Sequence, residues 1–213
     1  GGNLRAAVFG VNDGLVSNLS LILGIAGASS SNSMVMLAGV AGMLAGAFSM
    51  AAGEYVSVRS QREMFEYQIG LEPEEAEELA LIYSARGMTE EDAARLAKAS
   101  IADPDLALDT LAREELGLNP DQLGSPIGAA VFSFIAFAAG AMVPLLPFLF
   151  LAGDSALPVS VTVTGVALYA VGALLSLFTG RNAWLGGLRM LAIGAAAGAA
   201  TYAIGSVLGV SLG

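Results

Sequence analysis

The chain of 213 residues is 55% hydrophobic and only 13% charged, with a mean hydropathy of +0.71, whereas about a quarter of a soluble domain is charged. It contains no cysteine and no histidine, which excludes disulfide scaffolds, thiolate metal sites, imidazole bases and Ser-His-Asp catalysis. The net charge of −10 has the wrong sign for nucleic-acid binding.

Long segments without charge predict membrane-spanning helices. Residues 14–53, 122–153, 155–180 and 190–213 contain no Asp, Glu, Lys or Arg, and each exceeds the roughly 20 apolar residues that cross a bilayer. The first segment is long enough for two helices, separated by the turn Ser29–Ser33. The five predicted spans are Ala6–Ala28, Met34–Val58, Ile127–Leu151, Val159–Thr179 and Ala183–Val210.

Glycine and proline residues inside these spans indicate how the helices pack and where one of them bends or breaks. Pairs at Gly-x-x-x-Gly spacing, such as Gly10 with Gly14 and Gly205 with Gly209, indicate close helix packing or dimerisation. Pro144 and Pro147 are expected to break or kink the third span near its outer end.

The hydrophilic stretch between the second and third spans is a predicted insert over residues 59–124. It separates transmembrane helices 1–2 (residues 1–58) from helices 3–5 (residues 125–213), and it holds 16 of the 19 acidic residues. Three insert helices are indicated, opening at Pro73, Thr89 and Asp103. The segment 54–69 has no helix breaker, so the second membrane helix is expected to run on beyond its span.

Eight of the nine basic residues lie before the first span, in the insert or between the fourth and fifth spans, and Arg189 lies near the start of the fifth span on the same side. Five spans place these three regions on one face of the membrane, and basic residues favour the cytoplasmic face. The predicted fold is an all-α membrane protein with five transmembrane helices and a cytoplasmic, acidic three-helix insert between helices 2 and 3. The C-terminus is expected outside, and the expected membrane is a bacterial inner membrane.

Two carboxylates, Asp13 and Glu54, lie within predicted spans, where such groups are costly and usually mark an ion or proton path. The antiparallel course of helices 1 and 2 predicts a similar depth for both, in the cytoplasmic third. Met50 lies one turn before Glu54, and Met43 two turns further along the same face. Two carboxylates and a thioether suit a transition-metal dication such as Fe(II). The alternatives are hydrated interfacial acids and methionines that only pack the core.

Insert glutamates stand at helical or adjacent spacing, as in Glu63 with Glu66, Glu74 with Glu77, and Glu114 with Glu115. Like charges so placed repel one another unless a cation lies between them. Clusters of glutamates from several helices are typical of iron-binding bundles. The alternative is a solvated acidic face that keeps the insert off the anionic membrane surface.

Two long motifs, GVNDGLVSN at residues 10–18 and AFSMAAGEYVSVRSQ at residues 47–61, resemble the vacuolar iron transporter family. The likeness is to a bacterial member, and the start at Gly1-Gly2 would fit removal of a ferritin-like domain that precedes the first span in some members. The resemblance implies a five-span homodimer with the pore between the two first helices. It also implies export of ferrous iron, and often manganese, in exchange for protons.

Matched position by position, the family's first-helix aspartate is Asp13 and its second-helix methionine is Met50. Plant members carry a further glutamate where this chain has Gly42, and they have glycine where it has Glu54. The family's insert glutamates fall on four positions: Glu72, Glu74, Glu77 and Glu115. The first insert helix is shortened relative to the family, so the insert is expected either to hold fewer ions or to use Glu63 and Glu66 instead.

The resulting prediction is a proton-coupled exporter of Fe2+ without enzymatic activity, with Mn2+, Co2+ and Zn2+ as further candidate ions. Its expected partners are metal ions, protons, the lipid bilayer and a second copy of the chain, with no nucleic acid. One rival function is a membrane-tethered iron buffer or sensor that binds metal without transporting it. Another is a proton-coupled transporter of an organic cation, although such cations usually meet aromatic faces.

Overall fold

The computed structural model describes residues 2–29, 31–68, 75–102, 104–114, 125–151 and 153–212. These residues form eight α-helices, and a 3-10 turn at Gly153–Ser155 precedes the seventh. The helices are α1 Gly2–Ala28, α2 Asn32–Gln68, α3 Glu75–Ala85, α4 Glu90–Ile101, α5 Pro104–Glu114, α6 Pro126–Phe150, α7 Ala156–Phe178 and α8 Ala183–Leu212. No β-strand occurs in the described ranges, which confirms the all-α prediction.

Five helices are long and apolar enough to cross a membrane, and the five predicted spans fall on them. The membrane-length segments are Ala7–Ala28, Asn32–Met64, Pro126–Phe150, Ala156–Phe178 and Ala183–Gly209. Helix α2 has 37 residues and is therefore about 55 Å long, well beyond the roughly 30 Å of bilayer hydrocarbon. The expected extension of the second helix is confirmed as far as Gln68.

The chain divides into two compact units, one holding the described residues up to Gly53 and from Ala130 onward, the other Glu54–Ala129. In the second unit, α3, α4 and α5 lie where the three insert helices are predicted. They bury a small core of Leu79, Ala97 and Leu111. Thr89 caps α4, because its Oγ1 accepts a hydrogen bond from the backbone N–H of Asp92 at 3.3 Å.

Helix α1 of the first unit packs against α6 and α8 through direct backbone contact. A Cβ atom at Gly14 would lie 2.7 Å from the backbone nitrogen of Ala141 in α6, closer than real side chains approach. Toward the other end of α1, a Cβ atom at Gly209 would lie 2.7 Å from Cα of Ala28. These Gly-x-x-x-Gly pairs therefore serve packing within one chain.

The prolines of α6 do not break the helix. Pro144 and Pro147 are both buried inside α6, which continues to Phe150, so of the two expected outcomes the break does not occur and the kink stays a prediction. A proline removes one backbone donor, and packing of the surrounding turn maintains the helix. The carbonyl of Pro144 accepts a hydrogen bond from the buried Ser160 hydroxyl of α7 at 2.6 Å, which ties the proline segment to its neighbour.

Candidate metal site

A cavity of about 300 Å³ lies between α1 and α2, with one wall from α6. It is lined by Asp13, Ser17, Asn18, Leu21, Gly42, Gly46, Ser49, Met50 and Phe137. Water occupies about 30 Å³ per molecule in the liquid, so a cavity of this size has room for about ten. A dication that keeps part of its hydration shell therefore fits.

Helix α1 supplies the charge of this cavity. Among the described residues that line it, Asp13 carries the only formal charge. Asp13 lies six residues into the span Ala7–Ala28, which is about 9 Å along the helix axis. The Ser17 hydroxyl, one turn later, donates to the Asp13 backbone carbonyl at 2.5 Å. A negatively charged cavity at membrane depth favours a cation.

Helix α2 supplies space and a sulfur atom. A Cβ atom at Gly46 would overlap the Phe137 ring, whose Cε2 would be 3.1 Å away, so glycine allows the aromatic wall to lie close to α2. Met50 packs against the buried cluster of Ala47, Phe137 and Ala141 and also lines the cavity. Asp13 and Met50, both predicted site residues, thus line the same cavity, and their binding of a metal ion stays a prediction.

Asn18 is a cavity residue that the sequence reasoning did not single out. Its side chain is 2% exposed, and its Nδ2 donates to the backbone carbonyl of Ala141 in α6 at 2.7 Å. Its Oδ1 is buried and has no hydrogen-bond partner in the described part of the chain. The available signal was a polar amide within a charge-free membrane segment, where such a group needs a partner.

The other two predicted pore residues lie elsewhere or remain untested. Met43 packs against the buried clusters around Leu145 and Phe137 and is not among the described residues that line the cavity. Glu54 is a half-buried residue of α2 and is the first residue of the second compact unit. Its approach to Asp13 stays a prediction.

The predicted insert ligands are only partly described. Glu63 is exposed and forms an ion pair with Arg59 at 2.7 Å, and Glu77 is exposed on α3. The side chains of Glu66, Glu72, Glu74 and Glu115 lie outside the described residues. Within the ranges that are described, no three acidic side chains come close enough to share a metal ion. An insert metal site therefore stays a prediction.

Residues 4–206 match the sequence model of a family described as the VIT family. A protein of Acanthamoeba castellanii named vacuolar iron transporter is 36% identical over an alignment of 217 positions. The alignment covers 96% of this chain and 78% of the relative. Vacuolar iron transporter 1 of Oryza sativa subsp. japonica is 33% identical over 208 residues, covering 93% of this chain and 82% of the relative. Vacuolar iron transporter 1 of Arabidopsis thaliana is 31% identical over an alignment of 214 positions, which covers 96% of this chain and 86% of the relative.

Proposed function

The chain belongs to the VIT family, and on that premise we propose that it transports Fe2+, and also Mn2+, across a membrane in exchange for protons. The proposed direction is out of the cytoplasm. The observation that carries this proposal is the cavity between two membrane-length helices, which presents the Asp13 carboxylate and the Met50 thioether. The names of the curated relatives, which specify iron, support the choice of ion.

The donor set favours transition-metal dications over Mg2+ and Ca2+. A dication that sheds part of its water inside a membrane needs negative charge close by, and Asp13 provides it. Met50 adds a soft sulfur donor, which Mg2+ and Ca2+ do not use and which Fe2+ accepts. The hydroxyls of Ser17 and Ser49 line the same cavity and are available to hold the remaining water molecules.

Proton exchange is proposed to act through the carboxylates that hold the ion. A proton taken up by Asp13 from the outer side removes the charge that binds the dication, so the ion is released there. Loss of that proton then restores the empty site for the next ion. Glu54 is proposed as a second carboxylate in this cycle, because it lies one turn after Met50 on the same helix.

We propose a homodimer as the working unit. Asp13 is exposed on the single chain, and a carboxylate facing acyl chains would be costly. Large apolar side chains on α2, such as Leu37 and Phe48, are 73% and 64% exposed. A second copy packed on α1 and α2 would cover Asp13 and would bring a second Asp13 toward the ion.

Outside the membrane, glutamates of the insert are proposed to collect ions on the cytoplasmic face. The candidates are Glu63, Glu66, Glu72, Glu74, Glu77 and Glu115. The proposed orientation, with the N-terminus and the insert in the cytoplasm, rests on the distribution of the nine basic residues.

Transport by reconstituted protein tests this function. The chain is placed in anaerobic liposomes, and Fe2+ entry and the opposing proton flux are followed with fluorescent indicators. Asp13→Asn is expected to abolish both fluxes, whereas Asp154→Asn, which changes an exposed acid of the loop before α7, is expected to leave them intact. Full flux in the Asp13→Asn variant would contradict the role of Asp13. Metal binding by the native chain without any flux would instead identify a buffer or sensor.

A further inference from the structure

We propose that the side-chain amide oxygen of Asn18 is a direct ligand of the transported cation, beside Asp13. This inference rests on the proposed function, because it concerns the same cavity. It adds a neutral oxygen donor to the proposed carboxylate and thioether ligands.

The orientation of the Asn18 amide is fixed by its hydrogen bond to α6. The backbone carbonyl of Ala141 is an acceptor only, so the atom 2.7 Å from it must be the amide nitrogen. The other end of the same planar group is therefore the oxygen, Oδ1.

The amide oxygen is buried without a partner. Asn18 is 2% exposed, and no donor reaches its Oδ1 in the part of the chain that the structure describes. A buried acceptor without a hydrogen bond loses its interaction with water and gains nothing in return. A bound cation would supply the missing interaction.

The oxygen lies beside Gly42, a second residue of the cavity wall. A Cβ atom at Gly42 would lie 3.2 Å from Asn18 Oδ1, and both residues line the cavity together with Asp13 and Met50. Any side chain at position 42 would therefore stand directly before the oxygen. Asn18 thus belongs to the same cavity wall as Asp13 and Met50.

An amide oxygen changes which ions the cavity prefers. Carbonyl oxygen is a hard, neutral donor that suits Mn2+ as well as Fe2+, whereas the Met50 sulfur suits softer ions. Asn18 therefore broadens the site toward Mn2+ without adding a second charge that a proton would have to neutralise. Its loss should penalise Mn2+ more than a soft ion such as Cd2+.

Other buried polar groups provide the comparison. Ser133 and Thr164 are fully buried, and their hydroxyl oxygens also have no partner within the described residues. Neither lines the cavity. Removal of the Thr164 hydroxyl thus controls for the loss of a buried unpaired oxygen as such.

Metal binding by the purified full-length chain in detergent tests this proposal without relying on transport. Binding of Mn2+ is measured by the loss of the free-ion paramagnetic resonance signal, and binding of Cd2+ by calorimetry. Asn18→Leu keeps the branched shape and removes the oxygen, and we expect it to weaken Mn2+ binding by about tenfold or more. The expected loss of Cd2+ binding is smaller, and Thr164→Val should bind both ions as the native chain does.

A second variant leaves Asn18 and its hydrogen bond in place. Gly42→Ala puts a methyl group before Oδ1 and otherwise meets only the end of the exposed Leu21 side chain, which can turn away. It should also reduce Mn2+ binding more than Cd2+ binding. If Asn18→Leu does not fold, Gly42→Ala decides the question alone.

Asp13→Asn separates this inference from the proposed function. Metal binding that stays native in Asp13→Asn, beyond the ions held by the proposed insert glutamates, would contradict the proposed transport site as a whole. If Asp13→Asn loses binding but folded Asn18→Leu or Gly42→Ala binds Mn2+ as the native chain does, only the role of Asn18 is wrong. An equal loss of Mn2+ and Cd2+ binding would also contradict it, since that pattern indicates a distorted cavity.

Discussion

The ring of Phe137 lies directly against Cα of Gly46, so that no side chain fits between α6 and α2 at this point. Phe137 is almost fully buried, and it forms one wall of the cavity that holds Asp13 and Met50. The width of the cavity is therefore set by a glycine on one helix and an aromatic ring on another.

Gly46→Ala is expected to displace the Phe137 ring and to reduce Fe2+ flux in liposomes strongly. The double variant Gly46→Ala with Phe137→Leu should recover part of the flux, because the smaller side chain makes room for the methyl group. This non-additive pattern is expected only of residues in contact. If the two substitutions change Fe2+ flux independently, the described contact between Gly46 and Phe137 is contradicted.

Gly14→Ala is expected to lower the free energy of unfolding by about 1–3 kcal/mol, the usual cost of overpacking. The added methyl group would meet the α6 backbone at Ala141, which cannot turn away as a side chain can. Gly53→Ala is the matched control, since a Cβ atom there meets nothing within 4 Å. Gly53→Ala should leave the free energy of unfolding unchanged or raise it by about 0.5–1 kcal/mol, because alanine favours the helix more than glycine does. Thermal unfolding in detergent measures both changes, and equal values would contradict the packing of α1 on α6.

Met50→Leu is expected to keep the fold and weaken Fe2+ binding. Exchange of Met for Leu in a packed cluster usually costs less than about 1.5 kcal/mol of stability, so Met50 can lose its sulfur while still filling space beside Ala47 and Phe137. The affinity for Fe2+ should fall by about tenfold or more, since even groups outside the ligand shell contribute that much. Anaerobic calorimetry measures this affinity. If it is unchanged, Met50 does not bind the ion and only packs the core.

Leu79→Ala is expected to destabilise the second unit locally by about 2–5 kcal/mol. Leu79 is 0% exposed in the core shared by α3, α4 and α5, whereas Leu81 on the same helix is 70% exposed. Hydrogen exchange should therefore rise across residues 75–114 in Leu79→Ala and remain native in Leu81→Ala. Equal protection in the two variants would be inconsistent with the described core.

The sequence was sufficient for the helices because hydropathy and capping are local properties. Charge-free runs located the five spans, and the Thr89 cap located the start of α4. Pro144 and Pro147 were predicted to break or kink α6, and the choice between these outcomes depends on the packing of α6 and on the Ser160 hydroxyl of α7. Helix periodicity alone could not supply that neighbour.

The same distinction applies to the cavity. Asp13 and Met50 were identifiable because a carboxylate and a thioether within spans are chemically conspicuous. Helical spacing placed Met43 on the face of Met50, and both pack against the cluster around Phe137, although Met43 is not among the described residues that line the cavity. The amide of Asn18 is oriented by its hydrogen bond to Ala141, which is 123 positions away in the chain. Its orientation therefore depends on tertiary structure.

Helices α1 and α2, which line the cavity, differ in how easily they can shift against their neighbours. Helix α1 meets α6 and α8 backbone to backbone at Gly14 and Gly209, which leaves no rotatable group to absorb a shift between them. Gly39 and Gly42 of α2, by contrast, face the ends of the Leu145 and Leu21 side chains, which are not backbone. A rocking motion that admits the ion from one side and discharges it on the other is therefore expected to move α2 against a stationary α1.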